Sequence, residues 1–177
     1  MSITDPSPVI RTPRLTLRAP RRADAARIAV LVNDFDLARM TTHVPHPYAP
    51  IEAEAFLDRM AAMDQARSAA FVLDTEAEGL VGAVGLHPAG RLGPEIGYWV
   101  GRSYWGQGLA TEAARAVLDW ARDDWGRKVV VSGHFEDNPA SGRVLQKAGF
   151  LYTGEVQTRH STARGQVVRT RMMIWLA

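Results

Sequence analysis

The pattern that most limits the fold of this chain is a strand, a glycine turn, a helix and an apolar strand in direct succession. Residues 94–101 (PEIGYWVG) predict a strand, and Gly106 and Gly108 follow it. Residues 111–125 then carry apolar side chains at helical spacing. Residues 128–135 (KVVVSGHF) are almost continuously apolar, which is typical of a buried central strand. This succession predicts an α/β fold with a mixed sheet.

The remaining segments predict further strands and helices around this unit. Alternating or continuous apolar side chains predict strands over residues 14–19, 68–74, 79–87, 150–156 and 166–176. Apolar stripes and capping residues predict helices over residues 21–35, 51–67 and 138–149. The expected order is therefore β-α-α-β-β-β-α-β-α-β-β, in a single domain over residues 1–177 whose residues 1–10 form a loosely ordered tail.

The composition excludes several classes of protein. The chain has 177 residues, of which 46% are hydrophobic, and that is enough for a sizeable core. It contains no apolar run of about 20 residues, the length a transmembrane helix needs, and no apolar stretch of signal-peptide length at its start. The absence of cysteine excludes disulfides, thiolate zinc sites and a cysteine nucleophile. We expect a cytoplasmic protein that binds no membrane.

The charges give no reason to expect a nucleic-acid partner. The 21 Lys and Arg residues nearly balance the 19 Asp and Glu residues, whereas a nucleic-acid-binding protein usually concentrates its cations in a patch. The densest group consists of Arg159, Arg164, Arg169 and Arg171. We interpret these arginines as solvated strand edges first, with contact to an anionic ligand as the alternative.

The residues of the glycine turn, taken alone, are compatible with more than one function. A strand followed by glycines and a helix directs backbone N–H groups and a helix N-terminus to one point, where a pyrophosphate can bind. The sequence excludes a P-loop, because Leu109 and Ala110 stand where a Lys-Ser/Thr pair is needed. A dinucleotide-binding turn is disfavoured, since Thr111 replaces the third glycine and three antiparallel-type strands precede the turn. A plain strand-to-helix turn and a pyrophosphate cradle both remain.

Longer stretches resemble the GNAT superfamily of N-acetyltransferases, in the branch of the ribosomal-protein N-acetyltransferases (RimJ/RimL type). These stretches are TPRLTLRAPRRADAARI at residues 12–28, LVGAVGLH at 80–87, PEIGYWVGRSYWGQGLATEAARAVLDWA at 94–121 and NPASGRVLQKAGF at 138–150. The similarity covers roughly residues 10–176. In the wider superfamily the pyrophosphate loop reads Arg/Gln-x-x-Gly-x-Gly/Ala, and Trp105 stands here at the Arg/Gln position. The resemblance therefore implies phosphate contacts through backbone N–H groups.

The resemblance implies that acetyl-CoA is the co-substrate and that no metal is needed. The implied cofactor-binding residues are Val100, Trp105, Gly106, Gln107, Gly108, Leu109, Ala110, Thr111, Asn138 and Ser141. The pantetheine arm is expected to pair with the end of the strand over residues 95–100 like an added strand. The N–H of Val100 is then the candidate for holding the thioester oxygen, as in an oxyanion hole.

The resemblance also implies residues for proton transfer. Glu95 is the candidate that takes the proton of the attacking amine, and Ser141 is the candidate that protonates the leaving thiolate. The alternative for Glu95 is an exposed rim position, and the alternatives to Ser141 as an acid are Tyr104 and Tyr152.

The acceptor site is expected in the two early helices and the proline-rich loop between them, with His43, Tyr48 and Trp99 as its residues. His43 and His46 have H-x-x-H spacing, but prolines interrupt the segment and no third ligand is evident, so we expect no metal. The first expectation for the acceptor is a protein N-terminal α-amine. Small amines such as an amino acid, a polyamine or an antibiotic remain as alternatives, as does a non-catalytic acyl-CoA sensor. A monomer and a homodimer are both compatible with the sequence.

Overall fold

The computed structural model describes residues 8–177, and strands form wherever the side-chain pattern predicts them. The strands are β1 (Ile10–Arg11), β2 (Thr16–Arg18), β3 (Ala69–Thr75), β4 (Gly79–Ala89), β5 (Gly93–Val100), β6 (Val129–Phe135), β7 (Leu151–Ser161) and β8 (Gln166–Leu176). Only β1 was not expected, because two residues are too few to show a pattern. Most of the tail predicted over residues 1–10 lies outside the described residues, and Ile10 already belongs to β1.

The described residues form five α-helices, two of which begin at a proline, a residue with no backbone N–H to satisfy. They are α1 (Ala25–Val32), α2 (Phe35–Ala38), α3 (Pro50–Ala61), α4 (Leu109–Asp123) and α5 (Pro139–Lys147). The Asp34 side chain accepts a hydrogen bond from the Leu37 N–H and starts the short α2, which the sequence pattern did not reveal. Asn138 caps α5 as predicted, by accepting from the N–H of Ser141 at 3.2 Å.

All eight described strands lie in one sheet, in the order β1-β2-β3-β4-β5-β6-β8-β7. Neighbouring strands are antiparallel except β5 and β6, which are parallel and share only the pair Glu95–Val131. The Ser132 hydroxyl then donates to the carbonyl of Ile96 at 3.0 Å. Beyond this bond, residues 97–100 of β5 have no partner strand on the β6 side. We call this opening the gap.

Helices cover both faces of the sheet, and each face has its own apolar core. One core lies under α4 and α5, and it includes Ile96 and Val100 of β5. The other lies under α1 and α3, and it is lined by Trp99 of the same strand. Because side chains alternate along a strand, even-numbered residues of β5 face α4 and α5, and odd-numbered residues face α1 and α3. No helix in residues 8–177 is long and apolar enough to cross a membrane.

Candidate functional site

The glycine turn forms an uncapped helix N-terminus. Gly106 and Gly108 have φ values of +74° and +79°, a conformation that only glycine adopts without strain. Gly108 is the N-cap of α4 and supplies no side-chain hydrogen bond, while the N–H of Glu112 bonds to the Gly108 carbonyl. The N–H groups of Leu109, Ala110 and Thr111 lie in the first turn, where a helix offers them no partner. The turn therefore presents several donors and the positive end of a 15-residue helix.

Arg14 fixes the orientation of this turn from the neighbouring strand segment. Its guanidinium donates to the Gln107 carbonyl at 2.7 Å and to the Glu112 carboxylate at 2.7 Å. In a trans peptide the carbonyl and the following N–H point in opposite directions, so this bond directs the N–H of Gly108 away from Arg14. Arg14 was not predictable from neighbouring residues, because its partners lie more than 90 residues away.

Trp105 explains how the turn works without the Arg or Gln of the wider superfamily. Its indole Nε1–H donates to the Val100 carbonyl at 2.6 Å, and the residue is 46% exposed. The side chain therefore ties the turn to the end of β5. The indole donor is used within the protein, which agrees with the expectation that backbone groups hold the phosphates.

The free edge of β5 offers backbone donors along the gap. The N–H of Gly101 bonds to the Val81 carbonyl of β4 at 2.8 Å. Since backbone groups alternate along a strand, the N–H groups of Val100 and Tyr98 point the other way, into the gap. The Val100 carbonyl is already occupied by Trp105, whereas Tyr98 lies near the closed end at Ser132. The strand thus provides two candidate donors where one, Val100, was expected.

A cleft of about 1010 Å³ joins the two faces of the sheet through the gap. From the α4–α5 side it is lined by Tyr98, Asn138 and Ser141. From the α1–α3 side it is lined by the acid Glu95 and otherwise chiefly by apolar and basic residues. These include His43, Phe56, Arg59, Met60, Met63, His87, Trp99, Arg159 and His160. Side chains from both faces of the sheet can therefore take part in a reaction in the gap.

Glu95 lies in the cleft, but its carboxylate is already paired. The Arg159 guanidinium donates to both oxygens of Glu95, one of them at 3.0 Å. The exposed fractions of the two side chains are 13% for Glu95 and 25% for Arg159. The expectation that this arginine is part of a solvated strand edge is therefore wrong. It is also wrong for Arg164, which is 12% exposed and bonds to the Asp137 carboxylate.

His87 lies directly opposite Glu95 across β4 and β5. Its Cε1 atom is 3.9 Å from the position that a Cβ of residue 97 would take, so the ring lies over Gly97 at the start of the free edge. Partial withdrawal from water lowers the pKa of His87, and the positive charges of His43 and Arg159 add to this, while Glu95 opposes it. In the sequence this histidine was one of several scattered ones, because only strand pairing brings it to the site.

Ser141 lies on the other side of the gap and is held by two groups. Its hydroxyl shares a hydrogen bond of 2.9 Å with the Tyr98 hydroxyl, and its N–H donates to the Asn138 side chain. Burial raises the pKa of Tyr98 to about 12, and the hydrogen bond with Ser141 opposes that effect. Tyr98 therefore keeps its proton at physiological pH. Tyr98 was not predicted from the sequence, because an aromatic residue in a strand is usually part of the core.

The other predicted residues separate into those in the cleft and those elsewhere. His43 and Trp99 line the cleft. Tyr48 does not: it is 8% exposed and packs into the core between α1 and α3. The rival acids also lie elsewhere, since Tyr104 accepts a hydrogen bond from Arg27 and the Tyr152 hydroxyl bonds to the His134 ring. Leu109 is buried, so only its backbone is available to a cofactor.

The described part of the chain contains no set of side chains that could bind a metal ion. No group of three or more His, Asp or Glu side chains in residues 8–177 is arranged to hold an ion. His46 of the H-x-x-H pair packs against Phe35, with ring centroids 5.5 Å apart.

Comparison with known proteins identifies a family that matches most of the chain. The family described as Acetyltransferase (GNAT) domain matches residues 14–151. The N-acetyltransferase YoaA of Bacillus subtilis is 25% identical over 158 residues, which cover 83% of this chain and 85% of YoaA.

Solved structures share the fold. The ribosomal α-N-protein acetyltransferase RimL in complex with coenzyme A has a TM-score of 0.82 and 18% identity, over 96% of this chain and 98% of that chain. The microcin self-immunity acetyltransferase MccE, in complex with acetyl-CoA and AMP, has a TM-score of 0.81 and 18% identity, over 94% of each chain. Spermidine N-acetyltransferase from Vibrio cholerae, in complex with CoA and spermine, has a TM-score of 0.77 and 20% identity, over 93% of this chain and 96% of that chain.

The family match spans most of the chain, and it includes the glycine turn, β5, β6 and the helix that carries Ser141. The fold and the order of its elements agree with the same conclusion. The chain belongs to the GNAT family and is an acetyl-CoA-dependent N-acetyltransferase.

Proposed function

We propose that the enzyme acetylates the α-amine at a protein N-terminus, by direct attack of the amine on acetyl-CoA in a ternary complex. The observation that carries this choice of acceptor is the charge of the cleft. Of the described residues that line it, Glu95 is the only acid, and Arg159 already pairs with that carboxylate. A second arginine, Arg59, also lines the cleft.

This charge disfavours a polyamine. A polyamine carries several positive charges, and each needs a carboxylate or several carbonyl groups as partners when it leaves water. The cleft instead offers arginine side chains and an apolar wall of Phe56, Met60 and Met63. A peptide N-terminus brings one amine and an apolar or acidic side chain, which such a wall accommodates.

Acetyl transfer would use groups on both sides of the gap. The pyrophosphate of acetyl-CoA would bind the N–H groups of residues 106–111, with its pantetheine arm along the free edge of β5. The N–H of Val100 or of Tyr98 would hold the thioester oxygen as it gains charge. The amine would attack from the Glu95 side and the thiolate would leave toward Ser141. Because the amine and the thiolate are different substituents of the tetrahedral intermediate, a proton acceptor on one side of the gap and a proton donor on the other suit the reaction.

The test is an acceptor panel with release of free CoA thiol as the readout. It compares short peptides that begin with Ala, Ser or Thr with free amino acids and with spermidine. We expect the best peptide to exceed spermidine at least tenfold in kcat/KM, which corresponds to about 1.4 kcal/mol of discrimination. The variant Arg59→Glu should narrow this ratio by improving spermidine, whereas Arg91→Glu, in the exposed turn between β4 and β5, should not.

The other results are equally informative. Faster turnover of spermidine than of every peptide would replace the proposed acceptor with a polyamine. Thermal stabilisation by CoA without thiol release from any amine would favour the acyl-CoA sensor.

A further inference from the structure

The proton of the attacking amine needs an acceptor that the paired Glu95 is poorly placed to be. An α-amine has a pKa of about 8, so most of it is ammonium at neutral pH and must lose a proton before attack. Both oxygens of Glu95 accept from Arg159, and the pair is largely shielded from water. Moving a proton onto this carboxylate would leave the arginine charge without its partner, which is costly in a desolvated site.

The His87 ring is the neighbouring group with a free nitrogen lone pair in the neutral state. It lies over Gly97, where the free edge of β5 begins, and on the face from which the acceptor enters. The absence of a side chain at residue 97 leaves space between the ring and the gap. Directly opposite side chains on paired strands have Cβ atoms about 4.5–5.5 Å apart, so Glu95 is close enough to stabilise a positive charge on the ring.

We propose that His87 accepts the proton of the acceptor amine, and that Glu95, held by Arg159, stabilises the imidazolium that forms. The inference rests on the proposed acetyl transfer. The ammonium gives one proton to the imidazole, its nitrogen bonds to the thioester carbon, and the carbon–sulfur bond breaks. The nitrogen loses a second proton as the amide forms and the thiolate gains one, so the imidazole proton is the one released to water.

The charges around His87 define its pH dependence. Removal from water is the largest effect that disfavours the charged ring, although His87 keeps an exposed side chain. His43 on the loop before α3 and Arg159 on β7 disfavour the charged ring as well, whereas Glu95 on β5 favours it. Arg59, His134 and His160 are the other basic groups that line the cleft. Because the pKa of His87 lies below its ordinary value, the ring is neutral at pH 7 and ready to take a proton.

The experiment compares pH profiles of kcat/KM for the best peptide acceptor. In the wild type, kcat/KM should fall at acid pH as His87 becomes charged. His87→Gln should lower kcat/KM about 100-fold at pH 7 and replace this limb with one at about pH 8, because only amine that is already uncharged then reacts. Glu95→Gln should keep the limb but move it to lower pH, because loss of the negative charge destabilises the imidazolium. His46→Gln, outside the cleft, should behave as the wild type.

The alternatives give opposite results. If Glu95 is itself the proton acceptor, Glu95→Gln moves the acid limb to about pH 8 and His87→Gln retains the wild-type limb, which overturns the inference while acetyl transfer stands. An His87→Gln variant with full activity overturns it as well. Calorimetric titration with CoA should give the same affinity for His87→Gln and the wild type, which separates a lost proton acceptor from a misfolded protein. If the wild type acetylates no amine, the proposed function and this inference fail together.

Discussion

The hydroxyl of Tyr98 lies between β5 and α5, 2.9 Å from the Ser141 hydroxyl and 3.2 Å from the Ser141 carbonyl oxygen. A phenol has one proton to donate. If that proton goes to the Ser141 hydroxyl, the serine proton remains free to meet the sulfur in the gap. Burial keeps Tyr98 protonated, since its pKa is raised to about 12. Tyr98 is thus a positioning residue, which orients Ser141 from a strand that the cofactor itself is expected to line.

Removal of that phenol should affect Ser141 and little else. Tyr98→Phe deletes one partly buried hydrogen bond, which is usually worth about 0.5–1.5 kcal/mol. We expect kcat to fall by roughly three- to tenfold with the affinity for CoA unchanged. Ser141→Ala should lower kcat at least as much, and the double variant should be no slower than Ser141→Ala alone. Additive losses in this double-mutant cycle would show that Tyr98 does not act through Ser141.

The first turn of α4 is the element on which cofactor binding is proposed to depend. Gly108, its N-cap, has a left-handed conformation, and no side chain caps the N–H groups of the turn. Arg14 and Trp105 hold the turn from its two sides. If these N–H groups hold the pyrophosphate, the affinity depends on a backbone shape, which a side chain at residue 108 would disturb.

Variants of two left-handed glycines can distinguish a role of the turn in CoA binding from the general effect of backbone strain. Gly108→Val imposes a left-handed conformation on a β-branched residue, at a cost of roughly 1–2 kcal/mol. Its Cβ would lie 3.4 Å from an Arg14 guanidinium nitrogen, so the contact that holds the turn would be disturbed as well. We expect the Kd for CoA in calorimetry to rise more than tenfold. Gly90→Val is the matched control, because Gly90 is also left-handed, with φ +57°, and has open space around it. Equal CoA binding by both variants would remove the turn from the site.

Most elements were predictable because their signals are local. Neighbouring residues alone indicate the apolar stripe of α4, the apolar run of β6 and the Asn138 cap. The structure contains all three. The partners of the site residues were not predictable in this way. Strand pairing brings His87 to Glu95, and the long β7 brings Arg159 to the same carboxylate from 64 residues away. Tyr48 was expected at the acceptor because it belongs to the proline-rich loop between the early helices, and its burial is set by the packing of α1 and α3.

The far side of the cleft is closed by segments from distant parts of the chain. The turn between β7 and β8 docks on the segment that follows α2, where the Thr162 N–H donates to the Thr42 carbonyl at 3.0 Å. Arg164 donates to the Arg39 carbonyl at 2.6 Å and to the Asp137 carboxylate at 2.7 Å. Met40, Thr41 and Thr42 line the cleft, so these bonds shape its acceptor end.

Removal of these bonds should weaken binding of the acceptor and leave binding of CoA unchanged. Arg164→Met removes the bonds to Arg39 and Asp137 and leaves a side chain of similar length. We expect KM for the peptide to rise by about tenfold, with the Kd for CoA unchanged, since the glycine turn is not involved. Arg169→Met is the control, because its ion pair with Glu136 is exposed and such pairs contribute little. A raised Kd for CoA in Arg164→Met would show that the hairpin supports the whole fold instead.

The single pairing between β5 and β6 also bears on the order in which the substrates arrive. A sheet that is open between these strands leaves the acceptor cleft continuous with the cofactor side, so an amine that enters first meets water and no reactive carbon. If pantetheine lies along the free edge as proposed, it completes the missing part of the sheet and becomes one wall of the acceptor pocket. The pocket is then assembled by the donor substrate, and we expect acetyl-CoA to bind before the amine and CoA to leave after the acetylated product.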